Sequence, residues 1–315
     1  MITIISHDDD VHATRVIERL SAAGRETQLL DIGRFPNHAT MAIEYEDPTA
    51  PTVSLVPESG AAVELTNSSA VWWRRPQFPD LSGLTDHDAL GFAHGEWHEA
   101  LNGMYQLLCC PWMNPPAADD IAHRKAHQLR VASDLGLRIP RTLMTSDRAR
   151  ALQFIEQNGI GKTIYKIFAA TQQVWRETRL VSTDDLEMLD SLHVAPVIFQ
   201  EYIPAVADLR VTVVGREIFP MAIHSKGTSY EVDFRVSLAE AETTRAELPK
   251  KVEKAMLRLM DRLGLVYGAI DLRLTEDGDY VFLEINPAGE FLFSEAGADL
   301  PITDAIVGWL SDPTV

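Results

Sequence analysis

Three oxygen-bearing side chains near the C-terminus have the types and spacing of a metal site. Asp271 lies in a predicted strand, YGAIDLRL, while Glu284 and Asn286 lie in the next one, YVFLEIN, after a turn at 276–278. Residues two apart in a strand point to the same face, and a hairpin can bring Asp271 beside them. Two carboxylates and an amide oxygen suit magnesium, which fills the rest of its shell with water and phosphate oxygens. The sequence therefore predicts a magnesium site on this hairpin.

The elements that must position these residues form an α/β region followed by an α+β region. The chain opens as a βαβ unit, with an apolar run at 2–5, an amphipathic stretch closed by Gly24 and a strand at 27–32. The proline-flanked break at 111–116 marks the first boundary. Further helices are predicted at 84–108, 119–135, 146–158, 245–263 and 302–310, and strands at 41–66, 70–73, 163–168, 177–181, 197–202, 209–214, 217–224, 266–274 and 280–285. We therefore expect units at 1–115, 116–195 and 196–315.

The composition is that of a globular protein with a strong acidic excess. Hydrophobic residues make up 46% and charged residues 23% of the 315 residues, and the formal net charge is −18. That charge argues against a nucleic acid or an anionic membrane as partner. No apolar run approaches the ~20 residues that span a bilayer, and the N-terminus lacks a signal-peptide pattern. We expect a cytoplasmic protein in which the two cysteines, Cys109 and Cys110, are small apolar core residues.

Several other motifs do not account for the chemistry. The pair Gly161-Lys162 lacks the glycine that a phosphate-binding P-loop needs five places earlier, and a strand follows instead of a helix. The histidine pairs 94/98 and 123/127 have the spacing of zinc ligands, but no further ligands accompany them, so we interpret them as surface or packing histidines. The acidic run at 8–10 is better explained as a helix N-cap than as a metal cluster. No serine or cysteine motif with a paired base predicts a nucleophile.

From about residue 114 to residue 310 the chain resembles the ATP-grasp superfamily. In that family Asp, Glu and Asn on two C-terminal strands hold magnesium against ATP phosphates, which matches Asp271, Glu284 and Asn286. The resemblance implies two nucleotide-binding lysines, an adenine-binding hinge, and a following segment with ribose, phosphate or acyl contacts. These positions are Lys125 and Lys166, then Gln200, Glu201, Tyr202 and Ile203, then Asp208 and Arg210. The stretch 169–173 lacks the glycines of the family's phosphate-covering loop, which makes backbone approach to phosphate harder.

The whole chain resembles the graspetide synthetases, the ligases that make microviridins and related ω-ester peptides. VWWRRP at 71–76 is similar to the end of their N-terminal domain, the stretch 200–223 to their central signature, and Asp233-Phe234-Arg235 to the segment that engages the core peptide. The resemblance implies an ATP-grasp fold with an N-terminal pre-ATP-grasp α/β domain. It also implies a homodimer that uses ATP and magnesium and acts on a ribosomal precursor peptide with a leader and a core.

The same resemblance places the leader near residues 171–190. Glu177, Asp184 and Asp185 lie there, and they either contact the peptide or cap a helix and face solvent. Asp233 and Arg235 are expected to contact the core peptide.

The cations of the second half have the chemistry that phosphoryl transfer needs. Arg210, Arg235 and Lys166 are expected to be catalytic, because guanidinium and ammonium groups hold carboxylate or phosphoryl oxygens. Arg74 and Arg75, in the N-terminal signature, either touch substrate or cap a strand end against acidic neighbours.

These observations favour an ATP-dependent peptide macrocyclase. It would link Asp or Glu to Ser, Thr or Lys side chains through an acyl phosphate, with loss of one water per ring. The alternative is an amino-acid or glutamate ligase of the ribosomal-protein glutamate ligase type, whose product gains mass. A non-catalytic nucleotide sensor is disfavoured because all three metal ligands are present. Since ATP is a polyanion, we expect the cleft to be the one strongly positive region inside an acidic shell.

Overall fold

The N-terminal unit combines a parallel sheet with a small antiparallel one. The structure is a computed structural model that describes residues 1–58, 60–168 and 176–313. The elements of this unit are β1 (Ile2–Ile5), α1 (Val11–Ala22), β2 (Thr27–Leu30), β3 (Ala39–Glu44), β4 (Thr52–Pro57), β5 (Val63–Glu64), β6 (Ala70–Trp73), α2 (His87–Leu107) and β7 (Trp112–Met113). The parallel sheet has the order β2-β1-β6-β7, and β3, β4 and β5 form an antiparallel meander.

The opening βαβ unit forms as predicted. Asp10 caps α1, because its carboxylate accepts the His12 N–H at 3.0 Å. The interpretation of the acidic run as a helix cap is therefore confirmed for Asp10. Leu20 on the buried face of α1 shares one hydrophobic core with Tyr267 and Phe291 from the C-terminal part of the chain. This shared core packs the N-terminal sheet against the region that contains the predicted metal ligands.

The middle of the chain forms a four-stranded antiparallel sheet of order β10-β9-β11-β8. Its elements are α3 (Pro116–His123), α4 (Lys125–Asp134), β8 (Thr142–Thr145), α5 (Arg148–Asn158), β9 (Thr163–Lys166), β10 (Arg179–Leu180), α6 (Thr183–Glu187) and β11 (Val197–Glu201). The single helix predicted at 119–135 is wrong, since the chain is extended at Arg124. Gln128 stabilises the break, because its Nε2 donates to the Ala122 carbonyl and, at 2.8 Å, to the Ile285 carbonyl. The break places Lys125 at the start of α4.

The C-terminal part is a five-stranded antiparallel sheet of order β14-β13-β12-β15-β16, with helices around it. Its elements are β12 (Ala207–Val214), β13 (Glu217–His224), α7 (Phe234–Ser237), β14 (Glu242–Arg245), α8 (Lys250–Leu263), β15 (Tyr267–Leu274), β16 (Tyr280–Asn286), α9 (Leu292–Ala298) and α10 (Ile302–Ser311). The helix predicted from residue 245 is wrong at its start. Arg245 ends an edge strand that pairs with β13, and the helix begins only after Pro249.

Two expectations drawn from composition concern the cysteines and membrane insertion. Cys109 is exposed and Cys110 is half-buried, so the predicted core position is wrong for Cys109, which lies just beyond the end of α2. Within the described ranges, none of the helices is both long enough and apolar enough to cross a bilayer.

Candidate active site

A row of charged side chains crosses three neighbouring strands of the C-terminal sheet. Arg210 on β12 pairs directly with Asp271 on β15, and Asp271 pairs directly with Glu284 on β16. Arg210 Nη1 donates to both oxygens of the Asp271 carboxylate, at 2.9 and 3.1 Å. A β-bulge at Leu283 shifts the pairing of β15 with β16 by one residue. The register of the Asp271–Glu284 pair therefore continues toward Asn286 but not toward Phe282. Directly opposed residues share a face, and the two carboxylates therefore lie side by side.

Asn286 lies on the same face, two residues beyond Glu284. Its Oδ1 accepts the Ala288 N–H at 2.9 Å, which orients the amide oxygen and leaves it one further lone pair. No group of three or more His, Cys, Asp or Glu that could bind a metal occurs among the residues that the structure describes. The predicted site is thus two carboxylates and one amide, a set of hard oxygen donors that fits magnesium better than zinc.

The charges around Asp271 also fit a cation. Burial raises the pKa of Asp271, the neighbouring Glu284 charge raises it further, and the Arg210 guanidinium opposes both. Two adjacent buried carboxylates repel each other, and a divalent cation would favour the ionised form of both. The donor set and its electrostatics therefore both suit a bound magnesium ion.

Lys125 and Lys166 approach Glu284 from two different elements. Lys125 Nζ lies 2.5 Å from Glu284 Oε2, and Lys166 Nζ lies 3.7 Å from the same oxygen. Burial alone would raise the pKa of Glu284, but the two ammonium charges outweigh it and hold that pKa well below its ordinary value. Burial lowers the pKa of Lys166, and the Glu284 charge opposes that effect. Around this one carboxylate the lysines leave an excess of positive charge.

The predicted hinge contributes to the wall of the same cleft. The Tyr202 N–H donates to the Lys162 carbonyl at 2.9 Å. Gln200 Nε2 donates to Thr142 Oγ1 at 2.9 Å, while its buried Oε1 has no partner among the described residues. Nor does any described group accept the Ile203 N–H. An acceptor and a donor are thus available at the hinge, which is the complement of the edge of an adenine.

Arg273 organises this hinge, although sequence reasoning did not select it. Its guanidinium donates to the Ile203 carbonyl at 2.8 Å and to Asp208 Oδ1 at 2.8 Å. Asp208 accepts from Ser225 Oγ at 2.7 Å with its other oxygen. Asp208 lines the cleft, but its observed contacts are structural, and its predicted nucleotide contact stays a prediction. The sequence feature that could have identified Arg273 is its position two residues after Asp271, which places both side chains on the same face of one strand.

Asp233 and Arg235 form a linked pair at the start of α7. Asp233 Oδ1 accepts the Arg235 backbone N–H at 3.2 Å and its Nε at 2.7 Å, and Oδ2 accepts the Thr178 N–H at 3.0 Å. Burial lowers the pKa of Arg235, but the Asp233 contact outweighs it and raises that pKa above its ordinary value. Both residues line the cleft, and 46% of the Arg235 side chain is exposed. A fixed guanidinium is therefore accessible to a ligand in the cleft.

The acidic residues assigned to the leader are not among the residues that line the cleft. Glu177 contacts Arg179, and Asp184 is exposed at the start of α6. Asp185 forms a capping box with Ser182 and accepts a hydrogen bond from Tyr165 Oη at 3.2 Å. Capping thus explains Asp185 in the structure, and a peptide contact for the three residues stays a prediction. The stretch 169–173 and the first part of the predicted leader region, 171–175, lie outside the described residues.

The cleft has a volume of about 450 Å³ and a nearly balanced charge. Its cationic lining residues are Arg124, Lys125, Lys166, Arg176, Arg235 and Arg273, and its acidic ones are Glu201, Asp208, Asp233, Asp271 and Glu284. In a chain of net charge −18 this is a local departure from the acidic average. Carboxylates inside the cleft pair with most of these cations, so the side chains alone do not make the cleft strongly positive. The contribution expected from bound magnesium stays a prediction.

Family models assign the chain with this cleft of two lysines and a carboxylate hairpin to a class of enzymes, the ADP-forming ATP-grasp ligases. Residues 1–120 match the family described as the MvdD pre-ATP grasp domain, and residues 122–310 match the RimK-like ATP-grasp domain. A search of curated proteins gave no match.

Similarity to solved structures shows which group of ATP-grasp ligases the chain resembles. The macrocyclase MdnC from Microcystis aeruginosa MRC, bound with precursor peptide MdnA, is 31% identical, with 99% of each chain covered and a TM-score of 0.86. A RiPP-associated ATP-grasp ligase from Chryseobacterium gregarium, in complex with ADP and a leader and core peptide, is 27% identical over 100% of this chain and 97% of that one, with a TM-score of 0.87. The ATP-grasp ligase PsnB, complexed with minimal precursor, Mg and ADP, is 25% identical over 98% and 97%, with a TM-score of 0.78. The chain belongs to the family of RiPP-associated ATP-grasp peptide ligases and macrocyclases. The family, the fold and the enzyme class predicted from the sequence are thereby confirmed.

Proposed function

We propose that this ligase is an ATP- and magnesium-dependent peptide macrocyclase. It joins Asp or Glu side chains of a ribosomal precursor peptide to Ser, Thr or Lys side chains of the same core, as ω-esters or ω-amides. The observation that carries the proposal is one cleft that combines Lys125, Lys166, the Asp271–Glu284 pair and an accessible Arg235. The chain matches a precursor-bound macrocyclase over 99% of its length, which supports the same substrate class.

The reaction has two halves, and neither needs a nucleophile from the protein. A core carboxylate first attacks the terminal phosphorus of ATP, the bond to the ADP oxygen breaks, and an acyl phosphate forms. A hydroxyl or amine of the core then attacks the acyl carbon, loses its proton and expels phosphate. Each ring therefore converts one ATP into ADP and phosphate and removes one water from the peptide.

The charged side chains of the cleft divide the work between nucleotide and peptide. Lys125 and Lys166 bind phosphate oxygens, and the hinge around Gln200 and Ile203 binds the base. Asp271, Glu284 and Asn286 would hold magnesium, which neutralises negative charge on the phosphates when it is bound. Arg235, held by Asp233, orients the reacting carboxylate of the core through its planar set of donors.

The leader of the precursor is proposed to bind near residues 171–190, whose described part runs from the cleft wall at Arg176 to the exposed acidic residue Asp184. A precursor shortened to its core is then expected to react more slowly than the full peptide. Light scattering of the purified chain tests the further expectation of a homodimer.

The decisive test is mass spectrometry with a candidate precursor. Short peptides encoded beside this chain's gene, with repeated Ser or Thr and Asp or Glu in their C-terminal halves, are incubated with the protein, ATP and magnesium. We expect the loss of one water per ring, with ADP released only when the cognate peptide is present. Brief alkaline treatment restores the mass of an ester and leaves an amide unchanged. A gain in mass would instead indicate the glutamate ligase alternative, and ATP turnover without any change in the peptide would contradict both.

A further inference from the structure

The loop that follows Asn286 is held through its backbone carbonyls. Four consecutive carbonyls accept hydrogen bonds from side chains: Pro287 from Asn114 Nδ2 at 3.1 Å, Ala288 from Arg74 Nη1 at 2.5 Å, Gly289 from Arg74 Nη1 at 2.9 Å and Tyr267 Oη at 2.8 Å, and Glu290 from Arg210 Nη2 at 3.1 Å. We call residues 287–290 the clamped loop. A loop with every carbonyl bonded to a side chain has little freedom to move.

Two of these donors come from the N-terminal unit. Arg74 directly follows β6, and its side chain is fully buried. Its Nε lies 3.2 Å from the carboxylate of Asp10, the residue that caps α1. Asn114 directly follows β7 and is also buried, and its Oδ1 accepts the N–H groups of Val266 and Tyr267 at 2.7 and 2.9 Å. Side chains that follow the adjacent parallel strands β6 and β7 therefore hold the clamped loop in place by hydrogen bonds.

The clamped loop in turn touches the row of site residues. The Ala288 N–H donates to Asn286 Oδ1. A Cβ added at Gly289 would lie 2.4 Å from the Ala269 Cβ and 2.9 Å from Arg210 Nη2, so the backbone approaches β15 and Arg210 as closely as glycine allows. Displacing this loop would therefore disturb both the Asn286 amide and the Arg210–Asp271 pair.

We infer that Arg74 is a positioning residue that lets the N-terminal unit set the geometry of the magnesium site. The connection runs from Asp10 through Arg74 to the Ala288 and Gly289 carbonyls, and from the Ala288 N–H to Asn286. Burial excludes the alternative that Arg74 touches substrate. Groups that orient metal ligands from behind commonly change metal affinity when they are replaced. The inference rests on the proposed magnesium site.

Arginine suits this position because Nη1 donates to two carbonyls while Nε of the same planar group lies 3.2 Å from the Asp10 carboxylate as an ion pair. A lysine keeps the charge but cannot reach all three acceptors. Arg75 provides the matched control, since it is the next residue, its side chain is 36% exposed, and it pairs with the Glu290 carboxylate at 3.2 Å without bonding a loop carbonyl.

The experiment compares Arg74→Lys with Arg75→Lys by two measurements. Calorimetric titration of ADP at increasing magnesium gives the magnesium concentration for half-maximal ADP binding. Hydrogen exchange of a peptide covering 286–291 reports the order of the loop without any turnover. For Arg74→Lys we expect about a ten-fold rise in the magnesium requirement and faster exchange in that peptide. For Arg75→Lys we expect neither.

Each outcome supports or overturns the positioning role of Arg74. A lower melting temperature in Arg74→Lys with an unchanged magnesium requirement would show a merely structural role and overturn the inference. If Arg74→Lys does not fold, Asp10→Asn removes the charge that lies 3.2 Å from Arg74 Nε while keeping an oxygen to cap α1, and a rise of about three- to five-fold is expected; no rise overturns the inference. Wild-type protein that binds ADP equally with and without magnesium would instead contradict the magnesium site itself.

Discussion

Glu284 is the side chain on which the proposed chemistry depends most, and Glu284→Gln tests it directly. The change keeps the shape of the side chain but removes its charge. In the structure, that charge faces two ammonium groups, at 2.5 Å from Lys125 and 3.7 Å from Lys166, and it lies beside Asp271. The variant therefore loses a proposed magnesium ligand and leaves two lysines without their carboxylate partner.

The expected effects on stability and on activity differ in size. The side chains of Lys125 and Glu284 are 20% and 22% exposed, between surface pairs worth less than about 1 kcal/mol and fully buried pairs whose disruption costs about 3–5 kcal/mol. We expect a loss of about 1–2 kcal/mol in the free energy of unfolding, which a domain of ordinary stability tolerates. Loss of metal stabilisation of the transferring phosphoryl group is worth several kcal/mol. About 4 kcal/mol corresponds to roughly a 10³-fold drop in kcat/KM.

ADP release in the presence of the cognate precursor measures activity, and urea denaturation measures stability. The matched control is Glu276→Gln, in the turn of the same hairpin, whose carboxylate forms an exposed pair with Lys226 at 3.3 Å. We expect the control to behave as wild type in both assays. If Glu284→Gln retains more than about a tenth of wild-type kcat/KM while remaining folded, Glu284 is not a metal ligand and the assignment of the site is refuted.

Three further predictions, tested by four substitutions, concern the hinge, a helix end and a buried histidine. Arg273→Lys is expected to raise the KM for ATP about ten-fold, because one ammonium cannot bond both the Ile203 carbonyl and the other acceptors of the guanidinium; an unchanged KM in the ADP-release assay would separate Arg273 from nucleotide binding. Gly264→Ala should lower the free energy of unfolding by about 1 kcal/mol, because φ is +69° there, whereas Gly308→Ala, inside a helix, should raise it by about 0.5 kcal/mol; the same sign in both denaturation curves would contradict the conformational argument. Burial lowers the pKa of His12 from 6.5 to about 4, so the unfolded chain binds more protons between these values and the free energy of unfolding falls as the pH drops through that window. His12→Gln should flatten the pH profile of unfolding there, and an equal slope in wild type and variant would show that His12 is not responsible.

The parts of the site that follow from local rules could be predicted from the sequence. The alternation of residues in a strand is enough to place Glu284 and Asn286 on one face. A short turn then brings Asp271 beside them, on the same face of the neighbouring strand. The cap at Asp10 is equally local, because the carboxylate bonds a backbone N–H two residues away. Such features depend on a few neighbouring residues and on no distant contact.

The parts that depend on distant contacts could not be predicted. The break at Arg124 exists because the Gln128 amide bonds the carbonyl of Ile285, 157 residues away. Arg273 draws its importance from carbonyls brought near by folding, and only its position in the strand hinted at a role. The net charge of the cleft could not be predicted for the same reason. The sequence shows which cationic residues are present, but not which carboxylates will lie beside them after folding.

That pairing reconciles an acidic protein with a polyanionic substrate. Phosphate oxygens that bind Lys125 and Lys166 compete with Glu284 for the two ammonium groups, so part of the Coulomb energy gained with the phosphate is lost with the carboxylate. A divalent cation held by Asp271 and Glu284 would compensate for the contacts that this carboxylate loses. Nucleotide and magnesium should therefore strengthen each other's binding, and by linkage the effect is equal in both directions. A polyanion that brings no divalent cation leaves that carboxylate uncompensated and is expected to bind more weakly in this cleft. Selectivity for a nucleotide with magnesium over other polyanions then arises from the carboxylates within the cleft as much as from its cations.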